Sequence, residues 1–186
     1  MEQQEEEKTP TLVNHALKWG IISAAAGIVI TAILYAVDYT MLASFKALGV
    51  LIVVGLGIVI YAGIEYRKLI GGYLPFGQAW QHAFVVFVIS GVISVIFQLL
   101  LYNIIDTELP EKMADAIVEN TRSMMENFGA PADQIDTQLE KVKTDSLARF
   151  TMLGMIKGFG FQLIFYAVFA LIIALITRKN PPVEQM

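Results

Sequence analysis

Four long apolar runs alternate with short polar breaks along the chain, and one polar stretch is much longer than the rest. The runs cover about residues 17–37, 47–64, 79–105 and 150–177. Each approaches or exceeds the roughly 20 residues that a helix needs to cross a hydrocarbon core at 1.5 Å per residue. Backbone in lipid must satisfy its own hydrogen bonds, so the runs are expected to be helices despite their Val and Ile content. Barrel strands would show segments of about ten residues with alternating polarity, and no such segments occur.

The breaks predict the turns. Thr9 is placed to cap the first helix, with Pro10 at its first position, where a missing N–H costs nothing. Residues 38–46 form a short turn. Residues 65–78, EYRKLIGGYLPFGQ, read as a tight cationic loop, with Gly71-Gly72 permitting the turn and Pro75 opening the third helix. Pro181-Pro182 is expected to stop the fourth helix. In the long break, residues 106–149, Leu109, Met113, Ile117, Met124 and Phe128 recur at near-helical spacing. Gly129 and Pro131 interrupt them, and Ile135, Leu139 and Val142 resume the pattern. This predicts two amphipathic helices folded as a hairpin, facing each other or the membrane surface. The expected architecture is all-α: one membrane domain over residues 1–186, a four-helix transmembrane bundle with an amphipathic hairpin between spans three and four.

Composition agrees. Hydrophobic residues make up 56% of the 186-residue chain and charged residues 16%, against about half and a quarter in soluble domains. A net charge of −4 offers no basic stripe for phosphates, so a nucleic-acid partner is not expected. With no cysteine, disulfides, thiolate metal sites and cysteine nucleophiles are excluded. MEQQEEEK lacks the positive charge of a signal-peptide n-region, and the following run is expected to remain as a first span.

An even number of spans places Lys8, Lys18, Arg67, Lys68, Arg178 and Lys179 on one side. Cations near short loops favour the cytoplasm, so both termini are expected there and the hairpin outside. Trp19, Tyr66, Tyr73 and Trp80 then fall at the inner boundary, and Tyr35, Tyr39 and Tyr102 at the outer one.

Candidate chemistry is sparse. Lys157 falls about 10 Å inside the fourth run if that helix starts near Phe150. With Gln98, Asn103 and Gln162 it would line a polar path; alternatively, the span begins at Gly158 and Lys157 reaches to the headgroups. Gly154 and Gly158, Ser23, Gly27 and Thr31, and Gly55 and Gly63 form small-residue faces that let helices approach closely. Such faces serve an oligomer or packing within the bundle. His15 and His82 are expected at one boundary without a neighbouring acid at ligand spacing, and are read as interfacial. Glu111, Asp115, Glu119 and Asp133 follow no calcium-loop pattern and read as a solvated face. No phosphate loop, HExxH or GxSxG is present, and no cofactor is implied.

Three features together resemble a known family. They are the Gly-Gly-Tyr-x-x-Phe-Gly-Gln-Ala stretch (Gly71, Gly72, Tyr73, Phe76, Gly77, Gln78, Ala79), the acidic methionine-containing link, and a glycine-containing fourth span ending in basic residues. The chain resembles, over nearly its whole length, the small four-span membrane proteins of Bacteroidota-type bacteria catalogued as domain of unknown function 4199. The resemblance implies a bacterial inner membrane; it implies no activity and no catalytic or binding residue. The function expected is therefore a non-enzymatic membrane component that binds a protein partner or itself. The alternative is a small transporter or channel subunit using the path near Lys157 and Gln98.

Overall fold

The computed structural model describes residues 9–181. Its six helices are α1 (Leu12–Val37), α2 (Phe45–Leu69), α3 (Phe76–Leu100), α4 (Leu109–Asn127), α5 (Ala132–Phe150) and α6 (Met152–Thr177). Four of them, with α3 extended to Ile105, are long and apolar enough to cross a membrane. Only between 11% and 22% of the most apolar stretch of each is buried by the rest of the chain. The faces left outside are apolar: on α6 alone they include Phe161, Ile164, Phe165, Val168, Leu171 and Leu175. A water-facing helix would present polar residues there, so the solvent of these faces is lipid. The chain is a multi-pass membrane protein.

Local chemistry sets the helix ends. The cap of α1 is Thr11, whose side chain accepts from the Asn14 N–H at 3.3 Å; Thr9, expected in this role, lies two residues too early. Ser44 caps α2 and Thr151 caps α6 in the same way. α2 runs five residues beyond Ile64, so Glu65 and Tyr66 are helical and not part of the loop. Pro75 precedes α3 as its cap residue. Beyond Leu100 the helix widens into a single π turn over Leu101–Ile105, closed by the Asp106 N–H on the Leu101 carbonyl at 2.9 Å. α6 ends at Thr177, ahead of the prolines expected to stop it. Lys8 and Pro182 lie outside the described residues.

The four spans form a ring in the order α1, α3, α6, α2. Ala16, Val59, Ala83, Val86, Ala170 and Ile173 fill its centre. The described start of the chain, the α2–α3 loop and the end of α6 share one end of the ring. The α1–α2 turn and the α4–α5 hairpin share the other. α4 and α5 face each other, burying Met113, Ala114, Ile135 and Leu139. The hairpin base sits on the bundle: Leu109 and Met113 join Leu101 in a cluster flanked by Tyr35, Leu42, Phe97, Tyr102 and Phe150.

Candidate functional site

At the end of the bundle opposite the hairpin, three helices bring polar side chains into the interior. His15 lies in the first turn of α1, His82 in the second turn of α3, and Glu65 and Tyr66 near the end of α2. The small residues Ala16, Ala79 and Ala83 allow α1 and α3 to pack closely here. His82 is 0% exposed and His15 3%. His15 Nδ1 and His82 Nε2 are 2.9 Å apart, a hydrogen bond across 67 residues of sequence. His15 Nε2 points the other way, to Glu65 Oε2 at 3.4 Å. Lys18 Nζ is 3.7 Å from the second Glu65 oxygen. The Tyr66 ring stacks on His82 at 5.0 Å, and Trp19 and Tyr66 both border His15.

Among the described residues, four buried side-chain polar atoms lack a hydrogen-bond partner: His15 Nε2, Trp19 Nε1, Glu65 Oε2 and His82 Nδ1. All four belong to this one cluster. Unpaired buried polar atoms are costly in a low-dielectric interior, and their concentration at one place marks a site. Both histidines, expected at the boundary without a neighbouring acid, are buried, and Glu65 stands beside His15. The sequence signal for this is Glu65 itself. Once α2 continues to Leu69, it is an acid inside a span, at the same end as both histidines.

The GGYxxFGQA stretch closes this end. Gly71 and Gly72 adopt φ of +94° and +88°, a region open to glycine. The turn they form brings Leu74 into a two-bond antiparallel pairing with Lys179, at 2.8 and 2.9 Å. Lys179 lies over the Tyr73 ring at 5.6 Å and Arg178 over Phe76 at 6.0 Å. Arg67 donates to the Thr177 carbonyl at 2.9 Å, satisfying the end of α6. Gly77 and Gln78 are exposed in the first turn of α3, while Ala79 is buried beneath the clasp.

The residues of the expected polar path are not brought together. Lys157 and Gln162 are exposed on the outer face of α6, Gln98 is half-buried, and Asn103 donates to its own helix at Leu99. The small residues divide by role. Ser23 is buried in the α1 interface. Thr31 donates to the Gly27 carbonyl of its own helix. At Gly63 an added Cβ would stand 2.8 Å from Thr177 Cγ2, so this glycine is required for α2 to approach α6. At Gly154 an added Cβ would meet the backbone of Ala148 and Arg149, so this glycine makes the sharp α5–α6 corner possible. Gly27, Gly55 and Gly158 face open space. The hairpin acids are exposed; Asp115 pairs with Lys143 at 2.8 Å. No group of three His, Asp or Glu side chains among the described residues is arranged to hold a metal ion.

Comparison with curated proteins and with solved structures returned no match. The profile of one family does match, over residues 18–179, a stretch that takes in Glu65, His82, the clasp and the hairpin. Four spans, the glycine turn and the acidic hairpin thus stand within a single family, and the chain belongs to the one described as "Protein of unknown function (DUF4199)".

Proposed function

We propose that this protein is a non-enzymatic component of a bacterial inner membrane, with its termini in the cytoplasm, and that the α4–α5 hairpin docks a partner protein outside. One observation carries this reading: Phe128, at the hairpin tip, is 84% exposed. The apolar stripe that is buried at Leu109 and Met113 runs out into the open at Met124 and Phe128. The base of the hairpin is braced, which keeps the tip in place. Tyr35 donates to Asp106 at 3.0 Å, Asn120 to the Ala43 carbonyl at 3.3 Å, and Lys112 bridges Asp106 and Glu108.

The partner that fits is a protein surface with an apolar pocket rimmed by cations. Residues 106–149 carry ten acidic and five basic side chains. That excess disfavours docking of the tip onto an anionic bilayer and favours a basic rim. The non-enzymatic reading is supported by the placement of the buried hydroxyls. Of the buried serine and threonine hydroxyls, Thr177 donates to its own helix at Ile173, Ser146 lies on α5 in the hairpin, and Ser23 is eight residues, or about 12 Å, along α1 from His15.

The test is a photo-crosslinking residue at position 128 in native membranes, with position 68 at the opposite end as control. A discrete protein adduct at 128, a second copy of this chain included, supports the reading. Adducts with lipid alone overturn it.

A further inference from the structure

The Glu65–His15–His82 cluster is independent of the hairpin and calls for an account of its own. Its geometry is serial. Glu65 and His82 approach opposite nitrogens of the His15 ring, so the three cannot converge on one metal ion, whose ligands must all face a common point. An arrangement in series is the geometry of a proton relay.

With Glu65 ionised, one placement of hydrogens serves both contacts. His15 carries its hydrogen on Nε2, toward the carboxylate, and accepts at Nδ1 from the Nε2–H of His82. His82 Nδ1 is then a bare lone pair with no donor, in agreement with its unpartnered state. The Glu65 side chain is 29% exposed, and His82 is buried.

We propose that this cluster is a proton-binding site, in which one excess proton is held on the His15–His82 hydrogen bond and balanced by the Glu65 carboxylate. The step is a proton transfer alone. An aqueous proton forms an N–H bond at the bare His82 Nδ1, and the Nε2 hydrogen of His82 shifts across the 2.9 Å contact to His15 Nδ1, so that the charge comes to rest on His15 while Glu65 stays a carboxylate. The resulting His15 imidazolium faces the Glu65 carboxylate, and the 3.4 Å contact contracts to a charge-assisted hydrogen bond. The loaded form ties α1, α2 and α3 together. A second proton is opposed, because two cationic rings would face each other across 2.9 Å.

The neighbouring groups set the balance. On α1, Lys18 opposes loading through its contact with Glu65. On α2, Tyr66 packs on both rings, Tyr61 borders Trp19, and Arg67 is turned away onto Thr177. On α3, His82 is the sole titratable side chain. On α6, Tyr166 is engaged with Phe87 and Lys157 lies toward the hairpin end.

The chain contains two histidines, so imidazole ¹⁵N NMR of the full-length protein in lipid nanodiscs reads the site directly. Titration from about pH 8 to about pH 4 spans the range over which histidine charge changes. The expected result is an Nε2–H tautomer on both rings at the alkaline end, then uptake of one proton that shifts both rings together. Glu65→Gln is expected to weaken proton affinity about tenfold or more, and Lys18→Met to strengthen it. Two rings that titrate independently, or an uptake unmoved by Glu65→Gln, overturn the proposal. So does Zn²⁺ at one equivalent shifting both rings at neutral pH, which would make the pair a metal site. Should Glu65→Gln fail to fold, the wild-type spectrum still decides between one shared proton and two independent ones.

Discussion

Individual glycines in this protein differ by what lies opposite them, and the difference is measurable. Gly63 has Thr177 against it, and Gly158 has open space. Gly63→Val overpacks the α2–α6 contact and is expected to cost about 1–3 kcal/mol, seen as a lowered Tm in detergent or lipid. Gly158→Ala is expected to leave Tm unchanged. From sequence, both sat in small-residue faces of the same kind. The pattern said that close approach was possible, and only the ring order says which glycine is approached. The same holds for His15 and His82. Each is visible as a histidine near the end of an apolar run, but their pairing depends on α1 and α3 being neighbours. Run lengths carry no information about that, because lipid stabilises each span singly and leaves its rotation and neighbours to side-chain packing.

Elements were more legible than contacts. The four spans and the two hairpin helices are readable because each answers one strong physical demand, hydrocarbon thickness for the former and an apolar stripe for the latter. Their ends are set by weaker forces. Thr11 rather than Thr9 caps α1, and α2 carries Glu65 past the apolar run as an extra turn that no hydropathy pattern marks. Within the hairpin, stability should reside in the buried seam. Leu139→Ala is expected to cost about 2–5 kcal/mol, read as faster hydrogen exchange of α4 and α5 amides with the spans unchanged. The exposed Asp115–Lys143 pair is expected to contribute nothing measurable, so Lys143→Ala should leave that exchange unaltered. The Asp115 carboxylate, as hydrogen-bond acceptor and as charge, holds the Lys143 ammonium above the ordinary lysine range. A raised lysine contributes fully below its unfolded value and loses its contribution as pH rises through the folded one. What the raised lysine adds is therefore intact at neutral pH and lost in strong alkali.

For the whole molecule, the fold fixes which surfaces share a side. Met41 in the α1–α2 turn and Ala132 in the hairpin are at one end of the bundle; Lys68 is at the other, and all three are exposed. The chain has no native cysteine. Single Met41→Cys, Ala132→Cys and Lys68→Cys variants should therefore label in two classes with an impermeant maleimide, the first two together and the third apart. Labelling of all three from one side would contradict the four-span topology. The clasp has a consequence in time. Leu74 belongs to the first half of the chain, and its backbone partner is Lys179. Because synthesis proceeds from the N-terminus, the turn ahead of α3 waits, with its peptide groups facing water or headgroups, while more than a hundred further residues are made. The histidine end of the bundle is thus sealed by the last span to emerge, and a nascent chain halted before residue 179 keeps that end open.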